Sequence, residues 1–168
     1  VVREMTVLEL APTIMAIIYA GKVGSSMSGG LGTMRITEQI DALEVMGINS
    51  ASYLVLPKIV ASLMMYPLLV IVSAVCAIMG GYIVGSLTGA LTSTEYIYGI
   101  RYAFNEYFIT FALIKSFVFA FLISSISSFQ GYYTQGGALE VGISSTNAVT
   151  TSIIAVLLAD YFLAYLLL

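Results

Sequence analysis

Two lysines lie inside long apolar stretches, where a positive charge could bind an anionic group. Lys22 interrupts the run from about residue 10 to 32, and Lys115 lies within the run from about 107 to 129. A charge in hydrocarbon is costly and usually marks a function. Each lysine is about 15 Å from an end of its run in helical geometry, which allows both to lie near the middle of a bilayer. We therefore predict a cavity that contains Lys22 and Lys115, with Glu9 just outside the first run as its third residue.

The same lysines also allow a structural interpretation. A lysine can extend its ammonium group to the membrane surface, or it can form an ion pair with an acid of another helix. The acids near these runs are Glu9, Glu106 and Asp160. Neither lysine has a pairing acid nearby within its own run, and for that reason we favour the cavity over the ion pair.

Residues 33–47 are predicted to form a short amphipathic helix between two apolar runs. Its apolar residues recur at helical spacing on one face, and Glu38, Asp41 and Glu44 share another face. Gly47 suits the C-terminal cap. A helix that rests on a membrane surface usually carries Lys and Arg on its polar face. The acidic face favours docking to a soluble protein instead, with a surface helix as the alternative.

The composition excludes several classes of protein. Of 168 residues, 60% are hydrophobic and 9% are charged, which is too apolar for a soluble domain. A net charge of −3 argues against binding nucleic acid through its phosphates. With one Cys and no His, we expect no disulfide framework, no metal site and no His-dependent catalytic residues.

An integral membrane protein is the class that remains. About 20 apolar residues are needed to cross the ~30 Å hydrocarbon core as a helix. The runs are too continuous for β-barrel strands, so we predict an all-α membrane protein, a polytopic helical bundle in a single domain over 1–168. The predicted spans are about 10–32, 59–87, 107–129 and 148–168, and Pro57 is expected to mark the start of the second. Because the chain begins at Val1, we expect a piece of a longer protein that lacks its N-terminal part.

Glycines provide the sequence's packing signals. Gly81, Gly85 and Gly89 recur every four residues and predict a flat stripe for a neighbouring helix. The glycine-rich run 21–32 is also interpreted as close helix packing. A phosphate-binding loop would need Gly, four residues, then Gly-Lys-Ser/Thr, and this pattern does not occur in the sequence.

Several short motifs follow one another in a specific order: AGKVG (20–24), LGTM (31–34), TEQIDALEVMG (37–47) and LVLPK (54–58). Together they resemble the permease family of the maintenance-of-lipid-asymmetry transporters. The resemblance covers nearly the whole chain, and EQIDAL is its most specific part.

The resemblance implies the membrane subunit of an ABC transporter in the bacterial inner membrane, with phospholipids as the expected substrates. It implies a homodimer with two cytoplasmic ATPase subunits and a periplasmic MCE-domain lipid-binding protein, and some members also bind a small STAS-domain protein. ATP and Mg would be bound by the ATPase partner, so this chain is expected to be no enzyme and to hold no cofactor itself.

The resemblance also assigns roles to residues. The 33–47 helix would be the cytoplasmic coupling helix. We further expect a cavity at the dimer interface, where Lys22 and Lys115 lie near lipid headgroups and Glu9 is the third residue. The residues expected to contact the ATPase are Arg35, Glu38, Gln39, Asp41 and Glu44. Family members carry an amphipathic helix and one more span before the point where this chain starts.

Two other functions fit the same residues. An ion- or proton-coupled secondary transporter would use Lys22, Lys115 and Asp160 as a relay. A non-transporting scaffold would use its glycine stripes to assemble a membrane complex. The acidic amphipathic helix favours the ABC transporter over both.

Overall fold

The computed structural model describes residues 2–102 and 105–167, which are helical almost throughout and contain no strand. Within this part of the chain, four helices are long and apolar enough to cross a membrane. The prediction of an all-α membrane bundle is therefore confirmed. In chain order the helices are α1 (Arg3–Ile36), α2 (Gln39–Val45), α3 (Ala51–Leu87), α4 (Ser93–Arg101), α5 (Glu106–Tyr132) and α6 (Ala138–Leu167).

The helices extend beyond the spans that hydropathy predicts, at the start of α3 and α6 and at both ends of α1 and α5. Helix α3 begins at Ala51 with a π-helical turn over Ala51–Val55, so Pro57 does not mark the start of the helix. Pro57 lies in the first turn of the α-helical part that follows, where a missing N–H costs little. The predicted end of the fourth span, Leu168, lies outside the described residues.

The amphipathic helix is shorter than predicted. Instead of a helix over 33–47, α1 continues to Ile36 and α2 covers Gln39–Val45. Glu38 separates them with a left-handed backbone, φ 61°, which costs a non-glycine residue about 1–2 kcal/mol. Gly47 does follow the helix with φ 79°, and the N–H of Ile48 donates to the Leu43 carbonyl, as in a glycine-capped helix end.

Helix α5 lies at the centre and packs against α1, α3 and α6. Near its start, Tyr107 donates a hydrogen bond to the Leu167 carbonyl at 2.7 Å. At the same end, Arg3 donates to the Ile100 carbonyl, which brings the start of α1 to α4. At its last residue, Tyr132 contacts Ser50. Helix α2 and the α5–α6 turn therefore lie at one end of the bundle, and α4 lies at the other.

Small residues line the interface of α1, α5 and α6, which we call the serine seam. A Cβ on Gly24 would come within 2.8 Å of the Ser127 hydroxyl, and one on Gly131 within 2.5 Å of the Ser28 carbonyl oxygen. Such residues let helix backbones approach closely in a membrane. The buried serines of the seam are Ser28, Ser124, Ser127, Ser128, Ser144 and Ser152.

Among the described residues, the predicted glycine stripe faces α4 and the connection that leads to it. Gly81 lies under the Tyr96 side chain of α4, and Gly85 faces Leu91 in the connection. Gly89 lies beyond the end of α3, in a turn that needs its positive φ of 68°. These glycines shape the α3–α4 connection.

Candidate functional site

Lys115 is completely buried at the centre of a charge cluster. Its Nζ is 2.9 Å from Glu9 Oε1 and 2.5 Å from Asp160 Oδ1, and it donates to the Leu8 carbonyl at 3.1 Å. An ammonium group has three N–H donors, so all of them are used. The Phe111 ring centroid is 5.2 Å from Nζ and adds a cation–π contact.

The sequence of α1 explains why this carbonyl accepts the lysine. Pro12 has no N–H, so the backbone hydrogen bonds of α1 are interrupted in the turn that contains Leu8. The chain is π-helical over Thr6–Ile14, which widens the turn. Thr13, from the same segment, donates to Asp160 Oδ1 at 3.3 Å. The cluster thereby ties α1, α5 and α6 together.

The structure thus places Lys115 and Glu9 in one ion cluster, in which Lys115 is fully buried and the Glu9 side chain is 43% exposed. With its donors engaged, Lys115 has none to offer an anionic ligand. The ion-pair alternative named Glu9, Glu106 and Asp160, and the pairs formed are those with Glu9 and Asp160. Asp160, which the cavity prediction omitted, is the nearer acid.

Lys22 lies apart from this cluster. It is exposed, in the second π-helical segment of α1, Ala20–Gly24, and forms no ion pair with any described residue. It lies about 21 Å along the helix from Ile36, deep within a span. No described element of this chain covers its side chain.

A second polar cluster lies at the end of the bundle that carries α2. Arg35 pairs with Asp41 at 3.1 Å, and its guanidinium lies 4.9 Å from the ring centroid of Tyr132. Glu44 Oε1 accepts a hydrogen bond from Ser50 at 2.9 Å. Among the predicted docking residues, Arg35, Asp41 and Glu44 therefore make side-chain contacts within the chain, and Glu38, Gln39, Asp41 and Glu44 are all exposed.

Helix α2 is anchored by Ile40, which is fully buried. At its far end Val45 is 89% exposed and Met46 is 66% exposed. The exposed surface of α2 thus combines acidic residues with an apolar tip.

An apolar groove that the sequence did not reveal lies between α1, α3 and α5. It holds about 180 Å³ and is lined by apolar side chains, among them Val7, Val70 and Leu113. A second cavity of about 300 Å³ is lined by Glu95 and Tyr96 of α4, and Ile78 borders both. Hydrogen bonds with Thr92 at the start of α4 lower the pKa of Glu95 below its ordinary value.

Comparison with known proteins places this architecture in a family. Residues 1–166 match the family described as Permease MlaE. A probable ABC transporter permease protein of Rickettsia bellii is 39% identical over 158 residues, which cover 94% of this chain and 61% of that protein. One of Synechocystis is 38% identical over 160 residues, covering 95% of this chain and 60% of that relative.

A plant protein is also similar. The chloroplastic protein TRIGALACTOSYLDIACYLGLYCEROL 1 of Arabidopsis thaliana is 37% identical over 165 residues, covering 93% of this chain and 45% of that protein. The chain spans about three fifths of the length of the bacterial relatives, 61% and 60%. The match over 1–166 establishes that this multi-pass membrane protein belongs to the MlaE permease family.

Proposed function

We propose that this chain is part of the permease subunit of an ABC transporter that moves phospholipids between the bacterial inner membrane and a periplasmic MCE-domain carrier. The subunit would act as a homodimer with a cytoplasmic ATPase, which binds ATP and Mg, and some complexes would include a small STAS-domain protein. The chain itself would carry substrate and transmit movement without catalysing a reaction.

The observation that carries this proposal is the position of α2. It lies at the end of the bundle, held by Ile40, and presents Glu38, Gln39 and the apolar tip of Val45 and Met46 to the outside. Exposed apolar side chains of this size beside polar ones are typical of a surface that binds another protein. Its acids disfavour contact with anionic lipid headgroups. The ATPase is the partner that fits this surface.

The exposed Lys22 supports the homodimer and the anionic substrate. A lysine that faces hydrocarbon is costly, and the cost falls if a second copy encloses it in a polar cavity. A phosphate group is then a suitable partner for its ammonium. The apolar groove between α1, α3 and α5 provides the kind of surface that an acyl chain needs.

Copurification tests the ATPase assignment. We expect the full-length protein, extracted from its native membrane in mild detergent, to carry an ATPase subunit and enriched phospholipid, both identified by mass spectrometry. Val45→Asp places a charge in the proposed interface and should weaken ATPase association about tenfold, because a desolvated unpaired charge costs more than 1 kcal/mol.

Tyr98→Asp is the matched control, since Tyr98 is an exposed residue of α4 at the opposite end of the bundle. This variant should retain the ATPase. Absence of any ATPase from the wild-type complex in several detergents would refute the proposal, and equal ATPase binding by Val45→Asp would refute the assigned interface.

Lys22→Glu tests the substrate cavity. Reconstituted in vesicles with its partners, this variant should move anionic phospholipid about tenfold more slowly, because a charge-assisted hydrogen bond is replaced by repulsion. Zwitterionic phospholipid should be affected less, and ATPase binding should not change.

Arg101→Glu reverses an exposed charge in α4 and controls for net charge. It should leave the rates unchanged. If Lys22→Glu transports anionic lipid at the wild-type rate, Lys22 does not contact the headgroup.

A proton-coupled secondary transporter is the second candidate, because Lys115 and Asp160 are in direct contact within the bundle. The third member of that relay, Lys22, forms no ion pair with them among the described residues. Transport that stops with a proton uncoupler and continues without ATP would favour this candidate.

A further inference from the structure

Tyr132 is the last residue of α5 and lies at the end of the bundle that carries α2. Its hydroxyl oxygen is 2.6 Å from Ser50 Oγ and 3.3 Å from Glu44 Oε1. Ser50 is buried just before α3, and its hydroxyl is 2.9 Å from the same Glu44 oxygen. The tyrosine thus contacts both α2 and the start of α3.

Two hydroxyl hydrogens serve these three contacts, so at most two hydrogen bonds form at once. The shortest distances select one arrangement, in which Tyr132 donates to Ser50 and Ser50 donates to Glu44. The final bond ends on a carboxylate, and charge-assisted bonds of this kind are the stronger ones. A directional chain of hydrogen bonds therefore joins α5 to α2.

The ring of Tyr132 makes a second connection. Arg35 lies over it at 4.9 Å and pairs with Asp41 of α2 at 3.1 Å. Tyr132 is thus connected to Asp41 through Arg35, which lies over its ring, and to Glu44 through Ser50, which contacts its hydroxyl. A helix of seven residues is not stable alone, and Ile40 is the buried residue of α2. The orientation of α2 therefore depends strongly on these polar contacts.

We propose that Tyr132 is a positioning residue that fixes α2 against α5, so that a displacement of α2 by the ATPase moves α5 directly. The positioning is a property of this chain, and the transmission rests on the proposed function. Lys115 lies on the same helix, about 26 Å from Tyr132 at 1.5 Å per residue. A shift of α5 would thus reach the buried charge cluster.

Distance measurements by electron paramagnetic resonance test the positioning. Ala42 of α2 and Phe121 of α5 are both exposed, so each can be replaced by cysteine and spin-labelled. The exposed Cys76 is first replaced by serine, and the two labels then report the distance between α2 and α5. Tyr132→Phe removes the hydroxyl and keeps the ring. We expect a broader distance distribution, and an affinity for the ATPase about fivefold weaker, as the loss of one hydrogen bond predicts.

Tyr133→Phe is the matched control. Tyr133 is exposed, touches the Phe129 and Tyr132 rings, and its hydroxyl has no hydrogen-bond partner among the described residues. It should change neither readout. Ser50→Ala, which removes the middle of the chain, should act in the same direction as Tyr132→Phe. Thermal stability in detergent should stay unchanged in Tyr133→Phe, and in Tyr132→Phe and Ser50→Ala it should fall by no more than the loss of one hydrogen bond predicts, which separates positioning from general destabilisation.

The outcomes are distinct. Unchanged distances in both Tyr132→Phe and Ser50→Ala overturn the positioning role. Broader distances with unchanged ATPase affinity overturn the transmission. If the wild-type protein binds no ATPase, the proposed function fails, and the distances still decide whether Tyr132 positions α2.

Discussion

Lys115→Met is expected to lower the free energy of unfolding by about 3 kcal/mol, near the lower end for breaking a buried ion pair. The variant keeps the length of the side chain but leaves Glu9 and Asp160 without a cation, and the Leu8 carbonyl without a donor. The loss stays near the lower end because the Glu9 side chain is 43% exposed and can be partly solvated. SDS titration in mild detergent, followed by circular dichroism, measures the change.

The charges of the Lys115 cluster predict which of its variants lose more stability. Asp160→Asn leaves Lys115 paired with Glu9 and removes one of two negative charges, so it should destabilise less than Lys115→Met. Combining Lys115→Met with Glu9→Gln and Asp160→Asn removes every charge and should recover most of the loss, because an uncompensated buried charge is the main cost.

Lys58→Met is a matched control, because Lys58 is half-buried and pairs with no acid among the described residues. Its effect should stay within about 0.5 kcal/mol, as for ordinary surface changes. Wild-type stability of Lys115→Met would show that the ammonium does not bridge the two carboxylates.

Gly131→Ala is expected to separate α1 from α5. The added Cβ would lie 2.5 Å from the carbonyl oxygen of Ser28, 2.8 Å from its Cα and 2.9 Å from Leu31 Cβ. Two of these atoms belong to the backbone of α1 and cannot rotate away, so the whole helix must move. Overpacking of this kind costs about 1–3 kcal/mol, and we expect a value near the upper end, visible as a lower yield and a lower thermal midpoint.

Gly30→Ala provides the comparison on α1. A Cβ at Gly30 meets nothing within 4 Å. Alanine is favoured over glycine inside a helix by about 0.5–1 kcal/mol, so this variant should be neutral or slightly more stable. Equal stability of the two alanine variants would contradict the close α1–α5 contact.

Hydropathy sufficed to predict the helical bundle, because membrane spans need long apolar runs that few other folds contain. It did not predict where the helices end. The backbone at Glu38 adopts a left-handed conformation, although glutamate does not favour it. A break of this kind depends on how α1 and α2 pack, which no local pattern encodes.

The charge cluster was predictable in part. Glu9 and Asp160 were among the acids that the sequence offered to Lys115. Glu106 could have been excluded, because it begins the same helix about 14 Å away along the axis. Choosing the ion cluster over the cavity required knowing that α1 and α6 both approach α5, which is a tertiary fact. No sequence pattern distinguished Tyr132 from other residues, since tyrosines near the ends of membrane spans are common.

The serine seam has a thermodynamic consequence. When α1, α5 and α6 separate inside a bilayer, the helix surfaces that lose contact with each other are covered by lipid tails and not by water. The large heat-capacity change of soluble proteins arises from hydration of newly exposed apolar groups. Separation along this seam should lack most of that change, so its free energy should vary almost linearly with temperature and show no weakening on cooling.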